Sequence, residues 1–350
     1  MTSRISRLNA VLRKKNIDAF LITSPENIYY LSGFRSTDAF LLITPNDNFI
    51  ITDFRYKEEA RTIDNFKLEL IDDDYTVTIK KILKYIDIKN IGFEADSLSF
   101  SKASLLKKIL KNKKIKMEPL IGVIEELRLL KDKCEINEIK GTIAIAKKVL
   151  KTLKIKAGLT EKRLAFELDN LIRVFGGDKS SFPTIVASGK NSSKPHAAVT
   201  NKIIKKNELV LIDFGVTCNM YNCDLTRVFL PDKIERLLYD IYQICKEAQQ
   251  LAITTVKPSV RAKDVDKAAR DYITARGYGK QFGHSLGHGV GISIHELPKI
   301  SLKSEQILKP DMVFTIEPGI YIENMGGVRI EDMVRVTQTG CEVLTDDIPK

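Results

Sequence analysis

Between Gly283 and Pro298 the chain reads GHSLGHGVGISIHELP, and three of its four histidines, His284, His288 and His295, fall inside this Gly-rich segment. The fourth, His196, lies in KPHAAV. Four carboxylates stand out by position. Asp213 closes the apolar run LVLID, Glu317 closes MVFTIE, Asp224 opens DLTRV and Glu331 lies within VRIEDMVRV. Runs that apolar belong in a core, where an ionised carboxylate without a partner costs several kcal/mol. Some cation must therefore compensate them. Period-two alternation puts Val313, Thr315 and Glu317 on one strand face, and Arg329 with Glu331 on another. An arginine can neutralise one acid, but Arg329 and Arg227 cannot serve all four. Two divalent cations balance the count, four charges against four.

His288 is the natural fifth ligand, because its flanking glycines let the backbone come close to an ion. Carboxylates with one imidazole and no thiolate suit Mn²⁺, Co²⁺ or Zn²⁺ and argue against a structural zinc. Two such ions about 3.5–4 Å apart polarise a carbonyl and hold a bridging hydroxide at neutral pH, which is hydrolytic chemistry. A single histidine in a Gly-rich loop is commonly structural, and an Asp at a strand end is commonly a turn or cap residue. The metal reading rests on four acids in related positions together with the clustered histidines.

The elements that must place these residues repeat. KAGLTEKRLAFELDNLIRVFGG, starting at Lys156, matches KPSVRAKDVDKAARDYITARGYG, starting at Lys257, in helical period and glycine ending. Each copy is followed by a Gly/His-bearing loop and then a strand, NELVLIDFG over 207–215 and DMVFTIEPG over 311–319. Asp213 aligns with Glu317, and Asp224 with Glu331, which predicts α/β halves related by a pseudo-two-fold axis. Helices are expected near 132–155, 160–175, 232–256 and 262–276. Ahead of them, a helix pattern (Ile5, Leu8, Val11, Leu12) alternates with the strand-like runs AFLIT, AFLLIT and FIIT, separated by turn residues, which predicts a separate α/β domain.

Length and composition are consistent with this. The 350 residues allow two domains, and 43% apolar with 29% charged residues is ordinary for a soluble globular protein. No window approaches the roughly 20 apolar residues of a membrane span, and the first residues lack a signal-like apolar centre, so a cytoplasmic protein with no membrane partner is expected. Five cysteines, with no CxxC pair, suit a reducing compartment. The net charge of +11 raises the question of nucleic acid. Residues 101–160 hold fifteen Lys and one Arg against six acids, interleaved with Leu and Ile at helical spacing and no aromatic ladder. That is a solvated helix face, and no nucleic-acid partner is expected.

LIDFG, NCDLTR, GHSLGHGVGISIHELP, TIEPGIY and GGVRIED together resemble the signatures of the metal-dependent aminopeptidase P and prolidase family, whose catalytic domain has the pita-bread fold. ENIYYLSGF and ITDFRY resemble the creatinase-like N-terminal domain of the same family. The resemblance implies an α/β (α+β) chain with a creatinase-like domain over 1–124 and a pita-bread metallopeptidase domain over 125–350. It implies metal ligands at Asp213, Asp224, His288, Glu317 and Glu331. It gives Glu317 a proton-shuttling role, with His295 binding the scissile carbonyl or its oxyanion, and His196 and His284 lining the substrate pocket. Arg329 either binds the substrate carboxylate or holds Glu331, and its spacing from Glu331 favours the second. The implied activity is hydrolysis of an Xaa–Pro bond by a metal-bridging hydroxide on two divalent ions (Mn, Co or Zn), in a homodimer acting on proline-containing peptides.

Within that chemistry the two-domain length favours an Xaa–Pro aminopeptidase, with an Xaa–Pro dipeptidase (prolidase) as the alternative. Methionine aminopeptidases normally lack the N-terminal domain. A non-catalytic basic binding protein is the remote alternative, distinguished by salt-sensitive nucleic-acid binding that ignores chelators.

Overall fold

The computed structural model describes residues 2–72, 74–111 and 113–348. The chain divides into two compact units, 1–128 and 129–350.

The first unit runs α1 (Thr2–Lys14), β1 (Ala19–Ile22), α2 (Pro25–Ser32), β2 (Ala39–Ile43), β3 (Asn48–Thr52), the short α3 (Lys57–Ala60), β4 (Lys67–Leu70), α4 (Tyr75–Ile82), β5 (Asn90–Glu94), α5 (Phe100–Lys111), β6 (Lys116–Leu120) and α6 (Val123–Arg128). The three apolar runs read from the sequence are β1, β2 and β3. They sit in a six-stranded sheet of order β4-β3-β2-β1-β5-β6, in which only β2 pairs antiparallel with its neighbours. Every residue of β1 and β2 is buried. Continuous apolar strands of this kind need cover on both faces, which is why they do not alternate. On one face Leu21, Leu42, Ile51 and Ile91 join Ile79 of α4 and Leu106 and Leu110 of α5 in a common core.

The second unit carries the repeat. It opens with α7 (Lys133–Thr152), started by a capping box between Asp132 and Glu135. Then come α8 (Glu161–Val174), β7 (Lys179–Ser180), β8 (Ile185–Ser188), β9 (Val210–Phe214), β10 (Val216–Cys218), β11 (Tyr221–Asn222) and β12 (Leu225–Phe229). The later half runs α9 (Arg236–Thr255), α10 (Ala262–Ala275), β13 (Gly287–Gly289), β14 (Glu296–Ile300), β15 (Val313–Ile316), β16 (Gly319–Ile322), β17 (Gly326–Arg329), β18 (Asp332–Val336) and β19 (Cys341–Val343). These helices occupy the four stretches expected from periodicity.

The two halves agree element by element. α7 and α9 each have 20 residues, and α8 and α10 each have 14. Just past the second helix of each pair stands a glycine in the left-handed region, Gly176 (φ 93°) and Gly277 (φ 88°), where a side chain would be strained. The antiparallel order β12-β9-β8 is matched by β18-β15-β13 within the five-stranded sheet β14-β13-β15-β18-β19. Isolated bridges Thr160↔Ile203 and Arg261↔Ile307 also correspond. α9 and α10 supply Ile241, Cys245, Ala248, Ala252, Val265 and Ala269 to one core that takes Leu211 and Val228 from the first half and Phe314 and Val334 from the second. Among the described residues no helix is long and apolar enough to cross a membrane.

Candidate metal centre and active site

The repeat sets the acids at equivalent strand ends. Asp213 lies on β9, directly opposite Thr226 of β12. Asp224 immediately precedes β12, as Glu331 immediately precedes β18, and Glu317 immediately follows β15. His288 lies in β13, beside β15. The long strand read over 328–336 is in fact two. β17 pairs with β16 and β18 pairs with β15, and the chain breaks between them at Ile330 and Glu331. One buried side chain spans that break. Gln249 of α9 donates to the carbonyl oxygens of Ile316 (3.0 Å) and Ile330 (3.1 Å), the residues just before both glutamates.

Asp224, His288 and Glu331 each offer a ligand atom within 4.8 Å of the others, a spacing that can hold a metal ion. His288 Nε2 lies 3.5 Å from Asp224 and 3.4 Å from Glu317. The Nδ1 of His288 is 3.1 Å from the Gly289 carbonyl oxygen, so it carries the proton and leaves the Nε2 lone pair facing the acids. Glu317 accepts from the Thr315 hydroxyl (3.1 Å), and that hydroxyl also accepts from the His288 backbone N–H. The glycines around His288 serve the backbone rather than an ion. A side chain at Gly287 would collide with the Thr315 carbonyl, and one at Gly289 with the carbonyls of Glu296 and Leu297.

The charges are badly satisfied by protein alone. Asp213 Oδ1, Asp224 Oδ1 and Glu331 Oε1 are buried with no hydrogen-bond partner among the described residues. Burial first, then the charges of Glu331, Asp213 and Glu317, holds the Asp224 carboxyl well above its ordinary value. Burial and the charges of Glu317 and Asp213 do the same to Glu331. Glu317 is pushed up to about 8, again chiefly by burial. Burial also keeps His288 neutral, lowering it to about 4. Orphaned oxygens, acids reluctant to ionise and a neutral imidazole are a donor set that fits divalent cations.

Arg329 is the cation the structure does place here. Its guanidinium donates to Asp213 Oδ2 (2.6 Å), to the Thr226 hydroxyl (3.1 Å), to the Tyr321 hydroxyl (2.7 Å) and to the Pro195 carbonyl (3.2 Å). Thr226 in turn donates to Glu331 (2.7 Å). The expectation that Arg329 holds Glu331 is thus corrected in detail, since the direct partner is Asp213 and Glu331 is reached through Thr226. Arg227 pairs with Asp332 and binds the Glu331 carbonyl (2.5 Å), locking the backbone at Glu331.

The other histidines gather around this centre. His295 stacks edge-on to His288 with ring centroids 4.1 Å apart, and burial lowers its titration. His284 bonds the Ser285 carbonyl through Nδ1 and the Tyr321 hydroxyl through Nε2 (3.1 Å), and burial pushes it down to about 4. His196 is exposed, next to the Pro195 carbonyl that Arg329 grips.

Residues 4–130 match the creatinase/prolidase N-terminal domain, and residues 137–338 match metallopeptidase family M24. The chain belongs to metallopeptidase family M24. An Xaa-Pro dipeptidase of Pyrococcus furiosus is 37% identical to it over 99% of this chain and 98% of the relative. Among solved structures, an Xaa-Pro dipeptidase from Bacillus anthracis superposes with a TM-score of 0.96 at 36% identity, covering 100% of this chain and 98% of that one. An X-Pro aminopeptidase from Thermotoga maritima superposes at 0.88 with 36% identity, over 94% and 96% of the two chains. The chain is therefore an Xaa-Pro metallopeptidase with a creatinase-like domain followed by a pita-bread domain, and membership of M24 implies use of divalent metal.

Three residues of this M24 site escaped the sequence reading. Thr226 and Tyr321 join Arg329 to Glu331 and to His284, and Gln249 fixes both glutamates. Tyr321 sits inside the quoted TIEPGIY. Gln249 carries only a faint signal, a polar residue on the apolar face of α9.

Proposed function

We propose that this chain is an Xaa-Pro dipeptidase, a prolidase that releases free proline from Xaa–Pro dipeptides. The observation that carries the reading is full-length likeness to proteins named Xaa-Pro dipeptidase or prolidase, in sequence and in structure. It displaces the preference for an aminopeptidase that chain length alone suggested. The aminopeptidase remains the second reading, supported by the Thermotoga structure.

In this reading Asp213, Asp224, His288, Glu317 and Glu331 hold two divalent ions of the Mn²⁺, Co²⁺ or Zn²⁺ type. When bound, such ions polarise a carbonyl and activate water. Glu317 would take a proton from the attacking water and pass it to the leaving imino nitrogen. His295 donates to the scissile carbonyl oxygen and to the negative charge that grows on it. His196 and His284 line the pocket and orient the peptide. Arg329 keeps Asp213 aligned through its direct bond and Glu331 through Thr226. The working unit is a homodimer in the cytoplasm.

Purified protein should be supplied with Mn²⁺, Co²⁺ or Zn²⁺, then treated with EDTA, and assayed on Ala–Pro beside Ala–Pro–Pro. A dipeptidase releases proline from Ala–Pro with kcat/KM at least about tenfold above that for the tripeptide. EDTA abolishes the activity. Equal or faster release of alanine from Ala–Pro–Pro identifies the aminopeptidase instead.

A further inference from the structure

His295 is followed directly by Glu296, the first residue of β14, and the Glu296 carboxylate is not used by the metal site. It is buried, its side chain 6% exposed, and lies 2.8 Å from the ammonium of Lys131, which is 1% exposed. The other carboxylate oxygen accepts from the Ser293 backbone N–H (3.3 Å). A side chain at Gly291 would occupy the position of that same carboxylate. The segment 291–296 is thus wrapped around the carboxylate of its own last residue. Asn222 closes it from outside, donating to the carbonyls of Gly291 (3.0 Å) and Ile292 (2.7 Å). Lys131 is itself pinned by its backbone N–H to the Asp311 carbonyl (3.0 Å).

A buried ion pair is a poor stabilising device, because stripping water from both charges offsets most of their attraction. Its value is in fixing one arrangement. We propose that Lys131 is a positioning residue for the reaction, acting through Glu296 to set the His295 ring where it meets the scissile carbonyl. With the ammonium removed, the carboxylate must leave for water or take up a proton. Either change opens the turn and frees the ring that packs on His288. The proposal rests on the reading of His295 as the carbonyl donor.

A double-mutant cycle between Lys131 and His295 tests it, with metal content measured for each variant. His295→Ala is expected to lower kcat on Ala–Pro about 100-fold, as loss of one oxyanion donor does. Lys131→Met should lower kcat at least about tenfold with KM within about threefold and metal content unchanged. Lys131→Arg should recover most of the loss. In the His295→Ala background, Lys131→Met should cost nothing further. Lys131→Met leaves a buried carboxylate without its cation, so Lys131→Met/Glu296→Gln, which buries no charge, carries the same test if the single variant does not fold. Wild-type kcat in Lys131→Met or in the paired variant overturns the proposal, as do losses that multiply with those of His295→Ala. Wild-type kcat in His295→Ala removes the reading of His295, and the proposal with it.

Discussion

Arg329 donates to one oxygen of Asp213 at 2.6 Å and leaves the other oxygen of that carboxylate buried and without a partner among the described residues. The guanidinium thus fixes the plane of the acid and hands its second oxygen to the space between the strands. Burial works against the charge on Arg329, but Tyr321, Asp213 and Glu317 outweigh it and hold the group firmly protonated.

Arg329→Lys should therefore fail, though it keeps the charge. Lysine is a point donor and cannot span Asp213, Thr226, Tyr321 and Pro195 together. A fall in kcat/KM of about 100-fold is expected, with weaker metal retention on dialysis. Tyr321→Phe, which removes the link to His284 and one of Arg329's four acceptors but leaves its bond to Asp213, should cost about tenfold and leave metal content intact. Steady-state kinetics beside metal analysis separates the two.

Asp224→Asn should trade function for stability. The acid is buried among Glu331, Asp213 and Glu317, which repel its charge. Removing that charge abolishes metal-dependent activity, yet it raises the melting temperature of the chelated protein by about 2–4 °C. Thermal melts with EDTA present check this, and a lower melting temperature in the variant contradicts the account of the cluster.

The chelated protein should lose stability as pH rises from about 6.5 to 8. Glu317 is raised in the fold from 4.5 to about 8, so across this range the folded chain binds more protons than the unfolded one and stability falls with pH. His284 and His288, lowered from 6.5 to about 4, act in the opposite sense and only below 6.5, where stability falls as pH falls. Above 6.5 the carboxyl effect is left exposed. Added metal should flatten the slope, because it holds the acids ionised, and should bind more tightly as pH rises. Melting temperatures at several pH values, with and without metal, test both halves.

Much of this was legible in the chain itself, for a physical reason. An acid at the end of a run as apolar as LVLID is anomalous wherever it folds, so Asp213 and Glu317 declared themselves without any knowledge of their surroundings. The repeat then carried Asp224 and Glu331 with them. The break between β17 and β18 was not legible, because VRIEDMVRV alternates as one strand would, and only the competing pairings with β16 and β15 divide it. The direct partner of Arg329 was not legible either, because Asp213 reaches it from another sheet. Gln249 showed only as a polar residue on an apolar helix face and Lys131 not at all, since what they do depends on which carbonyl or carboxylate the fold carries to them.

Glu161 offers the last test, because it holds the His196 segment from beneath. It is the first residue of α8 and fully buried, and it accepts from Ser188 N–H (2.7 Å), the Ser188 hydroxyl (2.8 Å), Asn191 (3.0 Å) and the Thr200 hydroxyl (2.6 Å). Ser188 and Thr200 bracket residues 189–199, so one carboxylate ties both ends of the loop that presents His196. In the other half of the repeat, Asp266 and Arg270 of α10 do the same for His284, through Leu286 N–H (3.0 Å) and the carbonyls of Phe282 and His284 (both 2.8 Å). Glu161→Gln replaces an acceptor of several donors by an amide that must turn a donor toward some of them. A rise in KM of about tenfold, with kcat and metal content nearly unchanged, is expected if the loop orients substrate. A fall in kcat with unchanged KM would place His196 in the chemical step instead.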